Sequence, residues 1–383
     1  LEQSLLMAVT RAVLEGEVSL ELAAISSRPF DWAWILKQAE DERLAALLYS
    51  VARTLPVPSP VLERLRAAWV SGRRQYLLGS QQLTRVLSAF ERQGVPVIPL
   101  RGLALADLLY RDPGLRPFTD LDLLVHEGNL PRSLSLLSGL GYRHMEAGLP
   151  LSLELTWRHA ASFMPGAPEE IPIDLHWGMV DYPGLAPAAA ITQQDLWDRA
   201  VRVEGPYGVR WEFCPEDLLI SLALHWAVHH ALSGLIWQLD LALLILRYGD
   251  TLDWDAVIER AGRWRIRGPV FFALREVRDC LEAAVPAWVL DRLRPVGLRP
   301  TLFNWLRQRG EEYRERLDYL VPFLVMDRGS DMLRALASAV VPPASWLRCR
   351  YGKASVLGAY MAHCARIGRV CTRTARASLG RAR

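Results

Sequence analysis

Three aspartates stand where an apolar chain has little reason to carry charge. Asp120 and Asp122 interrupt the run "RPFTDLDLLV" (116–125), and Asp174 interrupts "IPIDLHW" (171–177). Burying an unpaired carboxylate is costly, so each needs a partner. In a strand, residues two apart point to the same side, which aims Asp120 and Asp122 one way, about 6–7 Å apart along the backbone. Like charges held that close repel unless a cation lies between them. A hard divalent ion such as Mg²⁺ meets the need, because it takes carboxylate oxygens and keeps other positions for water and phosphate oxygens. Asp174 joins the pair if its strand neighbours theirs.

Hydrophobic periodicity predicts the elements that must hold these residues. Residues 1–92 read as helices. "DWAWILKQAEDERLAALLYSVARTL" has apolar positions at helical spacing, and "SPVLERLRAAWVSGRRQYLLGSQQLTRVLSAFERQG" is one long amphipathic helix closed by Gly94. The run "VPVIPL" (95–100) predicts a strand, "LALADLLYR" a helix, "DPG" a turn, "DLDLLVH" a second strand and "NLPRSLSLLSGLGY" a helix stopped by glycine. "HAASFMP" and "IPIDLHW" read as further strands, and "RAVRVEGPYGVRWEF" as a hairpin. From Pro215, with Glu216 and Asp217 in the first turn, the chain is helical again. The class is therefore α+β: a small mixed β-sheet core at 93–213, an N-terminal helical region at 1–92, and a C-terminal helical domain with a basic tail at 214–383.

An apolar strand ending in glycine and a short helix, then Asp-x-Asp on a second strand, then a lone Asp on a third, resembles the DNA polymerase β-like nucleotidyltransferase superfamily. Within it, "VIPLRGLALADLLYRDPGLRPFTDLDLLV" with "IDLHW" is similar to a broad group of bacterial nucleotidyltransferases, and the likeness covers about residues 90–245. The resemblance implies that Asp120 and Asp122 hold two Mg²⁺ ions and that Asp174 completes the site while deprotonating or orienting an acceptor hydroxyl. It implies that Gly102 admits the triphosphate of ATP or another nucleoside triphosphate to a helix start. Arg101 and Arg116 would pair with phosphate oxygens. The reaction would be in-line attack on the α-phosphate, releasing pyrophosphate. Two features depart from the superfamily pattern: Leu103 follows the glycine where Gly or Ser is usual, and Arg101 replaces the Lys of nearer relatives.

Plainer roles stand beside these. Arg116 could offset the aspartates as an ion-pair partner, Arg101 could be a solvated turn residue, and Thr119 could hydrogen-bond the carboxylates or simply edge the strand. His176, on the face of Asp174, would touch nucleotide or acceptor, or support the carboxylates from behind. His225 and His229 share a helix face, but "HWAVH" lacks the Glu of a helical metalloprotease motif, so zinc is not expected. With His230, Trp237 and Asp240 they are expected to form a polar seam between the core and the C-terminal helices. His229, Trp237 and Asp240 are the candidate acceptor pocket, and Asp240 could equally pair with a buried arginine.

The whole chain sets outer bounds. Of its 383 residues 51% are hydrophobic and 23% charged, which predicts a globular protein rather than a disordered one. Five cysteines, Cys214, Cys280, Cys349, Cys364 and Cys371, show no CxxC pairing, as expected of a reducing cytoplasm. "LEQSLLMAVTRAVLEGEV" carries acids within its apolar pattern, so no signal peptide is expected, although the chain lacks an initiator Met. Leu218–Leu239 is free of Asp, Glu, Lys and Arg, yet its three histidines and its continuation into Asp240 predict a buried helix rather than a transmembrane segment. Beyond Asp331 there is no acid, while basic residues run from Arg334 to Arg383. That basic tail helix is expected to dock on the acidic body. Nucleic acid is a possible partner but not a favoured one, because aromatics are not interleaved with the arginines.

The expectation is thus a cytoplasmic, Mg²⁺-dependent enzyme that moves AMP from ATP to a small-molecule, sugar or peptide acceptor, in natural-product or polysaccharide biosynthesis. Two alternatives are carried: a transferase acting on tRNA or a partner protein, as in toxin–antitoxin systems, and a nucleotide-binding scaffold without catalysis.

Overall fold

The computed structural model describes residues 2–15, 30–52, 57–145, 150–152, 155, 158–181, 188–307 and 320–379. Its centre is a five-stranded mixed sheet in the order β1 (Val97–Pro99), β2 (Leu121–Val125), β5 (Ile173–His176), β4 (Ala160–Met164), β3 (Arg143–His144). β2 and β5 run parallel; the other neighbours are antiparallel. The hairpin β6 (Val201–Gly205) and β7 (Gly208–Glu212) stands outside this sheet. β3 is a two-residue edge that hydrophobic alternation alone could not announce.

Strict alternation gives the sheet two different faces. Leu121, Leu123 and Val125 of β2, with Ile173 and Leu175 of β5, pack beneath the long helix Ser59–Arg92 against Leu83, Val86, Leu87 and Phe90. At about 1.5 Å per residue that helix is about 50 Å long, and its earlier turns reach a second core through Leu65. The opposite face carries Asp122, Leu124, Asp174 and His176, and Leu124 packs into the core of the C-terminal helices. That second core joins the helices Glu2–Glu15, Trp32–Asp41 and Ala45–Ala52 to Tyr110 and to Ile236, Leu239 and Leu243 of the helix Leu235–Tyr248.

Between Leu218 and Leu239 the structure corrects the expectation of one continuous helix. The helix Pro215–Leu224 passes into a π-helical turn at His225–His229, and the chain then breaks before Leu235. Ala231 and Leu232 take left-handed backbone conformations (φ 51° and 57°), and Gly234 has φ 90° with the Trp237 ring where a Cβ would stand. Trp226 closes the break by donating its indole N–H to the Ser233 carbonyl at 3.0 Å. The tail helix Val356–Leu379 also differs from expectation: its buried Ala359 and His363 sit against the preceding helices Gly329–Val340 and Ala344–Tyr351, with His363 bonded to Tyr351 and to the Ala339 carbonyl. Among the described residues no helix is long and apolar enough to cross a membrane.

Candidate active site

Asp122 and Asp174 are register partners on adjacent parallel strands, and Ser162 of β4 is the register partner of Asp174 on its other side. Register partners project to the same face, about 4.8 Å apart. Asp120 lies two residues before Asp122, at the mouth of β2. The carboxylates therefore gather at one end of the sheet, and their charges register on one another. The acid of Asp120 is pushed up to about 6, first by burial and then by the negative charges of Asp122 and Asp174. Thr119 donates to Asp120 at 3.2 Å.

Asp122 is held differently. Arg101 forks onto it through Nε (3.1 Å) and Nη2 (2.9 Å), and His176 Nε2 donates to Oδ1 at 2.8 Å. Burial alone would raise the Asp122 acid, but Arg101 and His176 hold it well below the usual carboxylate range. Arg101 is buried, so the solvated-turn reading of this residue does not hold. Asp174 has no hydrogen-bond or ion-pair partner among the described residues. Beside Arg101, Gly102 takes φ 57° and ψ −109°, a conformation open to glycine but strained for L residues, and a Cβ there would lie 3.1 Å from Phe118.

Arg116, which lines the cavity beside the carboxylates, and Asp240, which does not, form a buried ion pair. Arg116 donates to Asp240 through Nε (3.2 Å to each oxygen) and Nη2 (2.7 Å), while Nη1 holds the Pro117 carbonyl at 2.5 Å. Tyr110 adds a third donor to Asp240 at 2.7 Å. Both charged side chains are almost fully buried, at 4% and 2% exposure. Asp240 thus takes the buried-arginine partner that the sequence allowed beside an acceptor contact, and Arg116 reaches it from the cavity lining. The reason is proximity: the helix Leu235–Tyr248 delivers Asp240 to the loop that leads into Asp120.

The π-helical turn brings three histidines over Arg101. Arg101 Nη1 donates to His225 Nδ1 at 2.7 Å; since guanidinium has no acceptor, this nitrogen carries no proton, and neutral His225 holds its proton on Nε2. That proton faces His230 Nε2 at 3.0 Å. Burial, and then the charge of Arg101 and the neighbouring imidazoles, hold His225 well below its ordinary value, His229 at about 4 and His230 at about 3, so all three are neutral at pH 7. His230 stacks on Trp237 with ring centroids 3.5 Å apart. Arg43, from the N-terminal region, lies 5.5 Å over the same indole.

These side chains line a cavity of about 320 Å³ that includes Arg43, Arg101, Asp120, Asp122, Asp174 and Trp237. His229, His176 and Thr119 also line it, whereas Asp240 does not. A family model described as "Uncharacterised nucleotidyltransferase" matches residues 28–282, more than half of the chain. The chain belongs to that nucleotidyltransferase family. Neither the curated proteins nor the solved structures yield a match. The match begins well before the strand-and-carboxylate motif, within the N-terminal helical region that supplies Arg43 to the cavity.

Sequence reasoning did not find Arg43, Arg158, Ser162 or Asp181 in this cavity. Arg158 pairs with Asp181, which also accepts from the His159 backbone N–H at 2.7 Å. Ser162 had a signal, as a polar residue at an inward position of the strand "AASFM". Arg43 had none locally, because only the fold carries "EDERLAAL" to the sheet. Among the described residues no three His, Cys, Asp or Glu side chains are already spaced as a metal cage.

Proposed function

We propose that this nucleotidyltransferase binds a nucleoside triphosphate with Mg²⁺ in the cavity and transfers the nucleoside monophosphate, AMP from ATP, to a nucleophile on a small-molecule, sugar or peptide acceptor. The observation that supports it best is the register pairing of Asp122 with Asp174, with Asp120 on the same face. The donor set suits a hard ion, being all carboxylate, and the Asp120 acid is raised first by burial and then by the negative charges of Asp122 and Asp174. Mg²⁺ is commonly bound by one or two carboxylates plus substrate phosphates, which the three aspartates would supply with a nucleotide.

Asp120, Asp122 and Asp174 would hold the metal. The chemistry a divalent ion supplies in such a site is charge stabilisation at the α-phosphate and on the departing pyrophosphate. The chain's own residues do the rest. Arg101 and His176 keep Asp122 ionised and oriented, and Gly102 lets the backbone pass close to the ligand. Asp174 receives the acceptor proton as the acceptor oxygen bonds to the α-phosphorus; the bridging P–O bond breaks, and its electron pair leaves with pyrophosphate. The compartment we assign is the cytoplasm, on the scattered cysteines of the sequence.

A second reading, nucleotide binding without catalysis, draws on Arg101, which already neutralises Asp122, a charge that a carboxylate kept for a metal ion would leave to the metal. Calorimetric titration of ATP, GTP, CTP and UTP, with and without Mg²⁺, tests both. Mg²⁺-dependent binding that disappears in an Asp120→Asn, Asp174→Asn double variant supports the site. Pyrophosphate release on supplying candidate acceptors then favours the enzyme over the scaffold. No binding of any of the four nucleotides contradicts both readings.

A further inference from the structure

Most charges lining the cavity cancel in pairs: Arg101 with Asp122, Arg158 with Asp181, and Arg116 with Asp240, which lies outside the lining. The histidines beside them are neutral. Among the described lining residues the carboxylates of Asp120 and Asp174 and the guanidinium of Arg43 remain. Arg43 has no hydrogen bond or ion pair from its side chain among the described residues; its one described contact is the face of Trp237. It is half-buried and close enough to feel both Arg116 and Asp120.

Its backbone is a second, independent observation. The helix Trp32–Asp41 ends in a reversal in which Leu44 N–H bonds to the Ala39 carbonyl (2.6 Å) and Arg43 N–H to that of Glu40 (3.1 Å). The residue at this position must be left-handed, and glycine is the usual choice. Here Arg43 takes φ 59°. Non-glycine residues kept in such conformations cluster at functional sites. The turn is also anchored: the neighbouring Glu42 carboxylate accepts from Leu235 N–H at 2.7 Å, at the start of the helix that carries Trp237.

We propose that Arg43, seated on the Trp237–His230 stack, binds the β- and γ-phosphates of the nucleoside triphosphate, so that the N-terminal helical region completes the active site. This rests on the nucleotidyl-transfer reading and deepens it. With the α-phosphate at the aspartates, the anionic remainder of the nucleotide reaches the one cation lining the cavity that is not already paired among the described residues. Arg43 then neutralises the charge that collects on the leaving pyrophosphate.

The test is Arg43→Gly, compared with the unaltered full-length protein in thermal melting and in calorimetric binding of ATP and of AMP, each with Mg²⁺. Glycine relieves the left-handed backbone while deleting the guanidinium. The expected result is a melting temperature equal to or above that of the unaltered protein, ATP affinity at least tenfold weaker, and AMP affinity unchanged within about threefold. Equal ATP affinity in the variant, with the unaltered protein binding ATP normally, overturns the role of Arg43 alone. Equal losses for ATP and AMP also overturn it, since the contact would then lie outside the β- and γ-phosphates. A lower melting temperature with parallel loss of both ligands would make Arg43 a structural residue. Failure of the unaltered protein to bind any nucleoside triphosphate overturns the underlying reading and this inference together.

Discussion

The Arg116–Asp240 pair makes a prediction that separates scaffold from ligand contact. Asp240→Asn removes the charge while keeping the shape, and it leaves a guanidinium buried at 4% exposure without its counter-ion. Breaking a buried pair from one side costs about 3–5 kcal/mol. Tyr110, fully buried and donating to the same carboxylate, loses its charged acceptor as well. At 2–4 °C per kcal/mol, the melting temperature should fall by roughly 5–10 °C or more. Arg116→Met should cost as much, since it leaves the Asp240 carboxylate uncompensated. In the double variant Arg116→Met, Asp240→Leu neither charge remains, and apolar groups of similar volume often replace such pairs without net loss. Its cost should fall short of the summed single effects by at least about 2 kcal/mol. The decisive assay couples melting with Mg²⁺–ATP calorimetry. If Arg116 only anchors the Pro117 loop ahead of Asp120, the double variant regains most of its stability and binds nucleotide within about threefold of the parent. Recovered stability with tenfold weaker binding would show that Arg116 touches phosphate after all, and additive single effects would refute the energetics.

Two further outcomes follow from the same geometry. The Asp120 acid is raised to about 6 from its ordinary 3.8, so the folded state pays for ionising it: the penalty is absent below about pH 4, grows between pH 4 and 6, and is complete above. Asp120→Asn in metal-free protein should therefore be more stable than the parent by about 1–3 kcal/mol at pH 8 and show little gain at pH 4, read as shifts in urea midpoint; a loss at pH 8 would contradict the crowding of carboxylates. Gly102→Ala, forced into φ 57° and ψ −109° with its Cβ 3.1 Å from Phe118, should cost about 1–3 kcal/mol in the same titration, and an unchanged midpoint would contradict the strain.

How much of this was legible in the sequence depended on range. β2 and β5 could be read because charge inside an apolar strand is conspicuous, and the alternation that puts Asp122 and Asp174 on inward positions is local. Their adjacency was not legible, since a parallel pairing across fifty residues leaves no local mark. The same holds for Arg116 with Asp240, separated by 124 positions: a buried arginine was one expected partner of Asp240, but nothing local said which. The break at 231–234 escaped for a different reason. "HHALSG" contains no proline and favours helix as much as turn, so its left-handed residues are imposed by tertiary contacts, among them Glu42 on Leu235 and Trp226 on Ser233. Arg43 combines both difficulties, being remote in sequence and unusual in backbone.

The central claim is that Asp120, Asp122 and Asp174 jointly hold a metal–nucleotide complex. Electron paramagnetic resonance of Mn²⁺, standing in for Mg²⁺, reads this directly. Adding the protein to Mn²⁺ with ATP should bind the ternary complex and deplete its solution signal, and Asp120→Asn, Asp174→Asn should abolish the depletion while retaining the fold by circular dichroism. Equal depletion by the folded double variant would place the metal elsewhere and contradict the account.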